Sequence, residues 1–189
     1  MAASSILVKR LKELKLSKKV VDVHRDRLTR NALTGVVNDV NSQFLYLSLY
    51  SEEGLSQGIS IVMLDDITRI HWGGNARKAI RHLAKVWKTK LQNPRVSLTS
   101  LKTVIESVQE EYGYVSVDAE YLDDSFCYIG RVTAIDSSHL YMNGFGSISS
   151  LDQNHTIIDL EEISRVGAGT QYEQSIQTLM ERLSTPADS

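Results

Sequence analysis

The chain is written twice. "GVVNDVNSQFLYL" from Gly35 and "GRVTAIDSSHLYM" from Gly130 run in step, pairing Gly35 with Gly130, Val37 with Val132, Val40 with Ile135, Leu45 with Leu140 and Tyr46 with Tyr141. One extra residue in the second copy then brings "LDDITRIHWGG" onto "LEEISRVGAGT", matching Leu64 with Leu160, Ile67 with Ile163, Arg69 with Arg165 and Gly73 with Gly169. Ile80 with Ile176 and Leu83 with Leu179 carry the match into a helical pattern. Self-similarity of this length constrains the fold more than composition does, because whatever one copy folds into the other must approximate.

Within each copy the periodicities predict a helix, five short strands and a second helix. Ile6, Leu7, Leu11 and Leu14 recur at helical spacing before the first set of strands. Leu101, Val104, Ile105 and Val108 do so before the second, after "SLTS", where Thr99 or Ser100 can cap the helix. Period-two alternation runs through "VVDV", "LTGVVNDV", "FLYLSLY", "ISIVML" and "ITRI". It returns in "YVSVDA", "CYIGRVTAI", "LYMN", "TIIDL" and "ISRV", with Gly, Asn, Asp and Ser at the breaks. The organisation expected is a first repeat over residues 1–92, a linker over 93–98 carrying one of the two prolines, and a second repeat over 99–184.

Five short antiparallel strands with a glycine in the second suggest a strongly bent sheet closing on itself. On the residues Gly35, Val37, Val40, Asn41 and Gly130, Val132, Ile135, Asp136, each following a leading helix, the chain resembles the Sm-like and SH3-like small-barrel superfamilies. The resemblance implies a mainly β fold with flanking α-helices, built as two tandem five-stranded barrels. It does not extend to uridine recognition, since Leu45 and Leu140 fall near the position where RNA-binding members carry asparagine, and "IHWGGN" and "VGAG" lead into helices.

A chain with 42% hydrophobic and 23% charged residues can bury a core. The lone Cys127, in the apolar stretch "SFCYIG", cannot form an internal disulfide and reads as a buried structural thiol in a reducing compartment. No apolar run reaches the roughly 18 residues of a membrane span, and the first residues lack a secretory apolar core, so a cytoplasmic location is expected. Charge divides the copies. Residues 1–98 hold 17 Lys and Arg against 8 Asp and Glu, a balance of +9, and residues 99–189 hold 4 against 15, a balance of −11.

Catalytic signatures are missing: there is no G-x-S-x-G, no Walker loop and no dinucleotide fingerprint. The five histidines have no ligand spacing such as HExxH and read as surface or edge residues, so neither a metal nor a cofactor is expected. Asp65-Asp66 and Glu161-Glu162 read as solvated turn residues at a strand junction. The informative segment is the helix from Ala76 to about Gln92. Ala76, Ile80, Leu83, Trp87 and Leu91 form its apolar stripe, and the remainder is basic with no acidic residue.

Ile80, Leu83 and Trp87 are therefore expected to pack on the first barrel, as Ile176, Leu179 and Leu183 on the second. Arg77 and Lys78 lie in the first turn, where the helix dipole disfavours cations unless an anion is beside them. In the second copy Thr170 and Glu173 fit a capping box, with Glu173 aligned to Arg77. Arg77, Lys78, Arg81, Lys85 and Lys88 are thus the candidate binding residues, for an anion or an acidic partner. The function expected is a non-catalytic adaptor or regulatory module acting by protein–protein or self-association. The alternative is RNA or single-stranded nucleic-acid binding through the basic repeat, and neither reading involves a membrane or a small-molecule substrate.

Overall fold

A computed structural model describes residues 5–122, 127–145 and 154–184. The first repeat comprises α1 (Ser5–Ser17), β1 (Val20–His24), β2 (Leu33–Val40), β3 (Phe44–Tyr50), β4 (Ser56–Met63), a 3-10 turn (Leu64–Asp66), β5 (Arg69–Trp72) and α2 (Gly74–Val86). The second runs in the same order: α3 (Leu101–Tyr112), β6 (Val115–Asp118), β7 (Cys127–Ile135), β8 (His139–Gly144), β9 (Asn154–Asp159), a 3-10 turn (Leu160–Glu162), β10 (Arg165–Ala168) and α4 (Gln171–Ser184). The acidic pairs therefore sit in these one-turn helices and not in strands.

The duplication extends to register. Gly35 lies opposite Leu49 and Gly130 opposite Gly144, and each second strand carries an irregularity at the same place, between Val37 and Asp39 and between Val132 and Ala134. A Cβ on either glycine would run into a carbonyl oxygen of the neighbouring strand, Ser48 for Gly35 and Asn143 for Gly130. The following turns match as well. Asn41 Oδ1 accepts from the Gln43 and Phe44 N–H groups, and Asp136 Oδ1 from those of Ser138 and His139.

The two repeats do not close into separate barrels. Their strands form one open, antiparallel ten-stranded sheet in the order β5-β1-β2-β3-β4-β10-β6-β7-β8-β9. The reason lies in β4, whose outer edge pairs with β10 of the other repeat, Ile59 to Val62 against Ala168 to Arg165. This joint explains the continuous apolar run "FLYL", where alternation with polar residues would be expected of a half-exposed strand. Leu45 and Leu47 pack with Leu11 and Leu14 of α1, while Phe44 and Tyr46 face the other way into a core with Val104, Ile105 and Val108 of α3. Burial on both faces requires apolar residues at every position.

The linker is strapped across this sheet. Ser48 Oγ donates to the Gln92 carbonyl, Tyr46 OH to that of Pro94 at 3.1 Å, and Asn41 Nδ2 to that of Leu98 at 2.6 Å. Ser100 caps α3 in a reciprocal box with Thr103, and the Thr170–Glu173 box expected at the start of α4 is present. Two expectations about packing fail. Ile80 and Leu83 are half-buried, but Trp87 is 60% exposed because α2 ends at Val86 and the chain turns at Lys88, whose φ is +52°. In α4, Ile176 is buried and Leu179 is 40% exposed, while the Leu183 side chain lies outside the described residues. Cys127 is likewise an exposed residue at the start of β7. Its Sγ lies 3.4 Å from Ser116 Oγ, and desolvation with the Asp118 charge pushes the thiol up to about 12, which keeps it protonated and unreactive at neutral pH.

Candidate functional site

The basic residues singled out on α2 divide between two places. Arg81, Lys85 and Lys88 line a groove of about 740 Å³ between α2, the end of α1 and the face of β2 and β3, where Lys15 and Lys18 join them. Among the described residues no carboxylate lines this groove, although Lys15 reaches out to the exposed Asp39 at 2.7 Å. Asn38 and Ser48 form its polar floor, with Asn38 Nδ2 donating to Ser48 Oγ at 2.6 Å. Tyr50 also lines it, and burial raises its hydroxyl pKa despite the nearby Arg81. Cations around neutral donors suit an anionic partner.

Arg77 lies elsewhere, with its guanidinium turned back onto Asp22 of β1 and onto the Gly73 carbonyl. The anion that the first turn of α2 needs is thus a side chain of the same repeat. In the second repeat the position of Asp22 holds Ser116 and that of Arg77 holds Glu173, so the change of sign at one site is matched at the other. Lys78 is exposed on α2 outside the groove.

A second constellation forms where the repeats meet. Arg25, 1% exposed, makes a two-pronged ion pair with Glu120, whose carboxylate also accepts from Ser164 Oγ at 2.5 Å. Burial alone would raise the Glu120 pKa, but the hydrogen bonds from Arg25 and Ser164 hold it below the ordinary value. The first repeat builds the same node from Asp26 and Thr68, Thr68 Oγ1 donating to Asp26 at 2.5 Å and to the His24 carbonyl at 3.1 Å. There the arginine is the repeat's own Arg69, which grips Asp26 with two bonds of 2.9 Å and lowers its carboxyl pKa to about 2. Tyr121 adds a further contact across the joint, donating to Asp66 at 2.6 Å.

The outer edge holds a third group. β1 and β5 pair with Asp22 opposite His71 and His24 opposite Arg69, which gathers Asp22, His24 and His71 with one possible ligand atom from each within 4.8 Å of the others. Reading the histidines one by one misses this set. The available signal is the "DVH" alternation, which puts Asp22 and His24 on one face of a strand. Sequence reasoning also misses Arg25 and Glu120, because Arg25 is matched by Ala119 in the other copy and its pairing with Glu120 joins different repeats. No helix among the described residues is long and apolar enough to cross a membrane. Compared with protein-family models, curated proteins and solved structures, the chain matches none.

Proposed function

We propose that this protein is a non-catalytic assembly module that associates head to tail with further copies of itself by repeating between chains the joint that links its own halves. The observation carrying this reading is the strand order. β4 of the first repeat pairs with the last strand of the second, and among the described residues this leaves unpaired the outer edges of the last strand of the first repeat, β5, and the fourth strand of the second, β9. Those two free edges are the same kinds of strand as the pair already joined. Transferring the β4·β10 register puts Arg69 opposite Ile158, Ile70 opposite Ile157, His71 opposite Thr156 and Trp72 opposite His155 of the next chain.

Both edges carry large exposed apolar side chains, Trp72 at 44% and Ile157 at 63%. Unpaired strands with such residues favour pairing with another chain. The free edges also belong to oppositely charged halves, +9 and −11, which favours head-to-tail encounter over head-to-head. The likeness to Sm-like and SH3-like units remains part of this reading, supported by the fifth-first-second-third-fourth strand order of each repeat. A head-to-tail contact of this sort closes into a ring or continues as a filament.

Measuring solution mass against protein and salt concentration tests the proposal. Species at multiples of 21.2 kDa are expected, favoured below about 0.1 M salt, with Ile157→Glu reverting to monomer at unchanged circular dichroism. A monomer at every concentration up to hundreds of micromolar overturns it.

The basic groove supports a second reading, single-stranded nucleic-acid binding. It predicts oligonucleotide affinity that falls steeply with salt, and a shallower slope in Arg81→Glu with Lys85→Glu, because fewer phosphates then displace counterions. Arg81 and Lys85 are chosen over Arg77 because Arg77 is engaged by Asp22.

A further inference from the structure

We propose that Asp22, His24 and His71 form a binding site for a divalent transition-metal ion of the zinc class. The three come from two adjacent strands, Asp22 and His24 two residues apart on β1 and His71 directly opposite Asp22 on β5, so backbone pairing holds them together. The imidazole rings of His24 and His71 lie with centroids 5.0 Å apart and tilted at 60°, which is not a stacked packing. One ligand atom from each residue lies within 4.8 Å of the others. Tetrahedral zinc with bonds of about 2.0–2.1 Å needs ligand atoms about 3.3 Å apart, a contraction within reach of side-chain rotation.

Nδ1 of His24 is buried without a hydrogen-bond partner. A buried polar atom in that state calls for an explanation, and bound metal is one that also uses its neighbours. Asp22 is oriented by Thr34 Oγ1, which donates to its Oδ1 at 2.9 Å, while Arg77 occupies its Oδ2. Each carboxylate oxygen keeps a further lone pair, and such outer partners commonly fix a ligating carboxylate in place.

Two imidazoles and one carboxylate favour zinc over magnesium or calcium, which prefer oxygen alone. The exposed side of His71 leaves room for a fourth, exchangeable ligand. In the second repeat the matching positions are Ser116, Asp118 and Gly167, and Asp118 is held by two bonds from Arg165, so the site belongs to the first repeat alone. Arg77 is a built-in competitor, because its positive charge already neutralises Asp22.

The test is calorimetric titration of the untagged chain with Zn²⁺, repeated with Mg²⁺, together with the visible spectrum on adding Co²⁺. One equivalent of Zn²⁺ is expected, with no Mg²⁺ uptake and a Co²⁺ spectrum typical of four-coordinate nitrogen and oxygen ligation. Affinity should fall at least tenfold in His24→Ala and in His71→Ala, and remain unchanged in His82→Ala, an exposed histidine of α2. His71 is itself exposed, so its substitution leaves the fold intact and keeps the test valid even where His24→Ala is destabilised. Arg77→Gln should tighten binding about tenfold by removing a like charge near the ion. Absence of stoichiometric binding, equal binding in His71→Ala, or loss in His82→Ala overturns the proposal.

Discussion

Gly35 and Gly130 show how one residue type is required twice by one contact. Each sits where a neighbouring strand's carbonyl occupies the space of a Cβ, so the requirement is close approach and not an unusual backbone angle. Gly35→Ala and Gly130→Ala should each destabilise the protein by about 1–3 kcal/mol, measured as a lowered urea midpoint at unchanged slope. Gly73→Ala is the contrasting case: nothing lies within 4 Å, but its φ of +78° with ψ of −161° is a conformation essentially confined to glycine, and a loss of about 1–3 kcal/mol is expected. The strand glycines are legible in the sequence because they recur. The partners of Arg25 and Arg77 are not legible, because each arginine reaches its carboxylate, Glu120 or Asp22, through tertiary pairing and is matched in the other copy by Ala119 or Glu173.

At the scale of elements, the alternating strands and both capping boxes follow from local chemistry, and the sequence shows them where the chain has them. α2 was harder to read. Of its expected apolar stripe Ile80 and Leu83 are half-buried and Ala76 is exposed, and extending the stripe to Trp87 and Leu91 assumes a helix that continues past Val86, where the positive φ of Lys88 ends it. Trp87→Ala should therefore shift stability by less than about 1 kcal/mol, far below the 3–5 kcal/mol typical of a buried tryptophan. Chemical denaturation followed by circular dichroism measures it, because fluorescence would lose part of its own signal with the substitution. Similarly, the groove under α2 emerges only when α1 and α2 are placed on the same repeat, since its cations come from sequence positions as distant as Lys18 and Arg81.

Across the whole molecule, the decisive pairing joins residues more than one hundred positions apart, β4 with β10, and no local pattern announces it. Its one sequence trace is the unbroken apolar run of β3, which reads as a strand buried on both faces once the second core is seen. The Arg25–Glu120 pair makes this joint durable. Arg25→Met alone should cost about 3–5 kcal/mol by stranding a buried carboxylate, and adding Glu120→Leu should recover most of that loss. Denaturation across pH gives the second reading. Because the folded Glu120 pKa is lowered, the pair's stabilisation is complete above the unfolded glutamate value of about 4.3 and is lost as pH falls through the folded value. The double variant should flatten that acid dependence.

Fusing two repeats into one chain has an arithmetic consequence for any assembly built from it. Joints alternate between a covalently tethered kind, sealed by Arg25, and a free kind in which Ala119 stands at the matching position. Every ring or filament then holds an even number of repeats, and rings with an odd count of repeats, open to a single-repeat protein, are closed to this chain. Dissociation is also directed to alternate joints, so an assembly of these chains comes apart in pairs of repeats and never in singles.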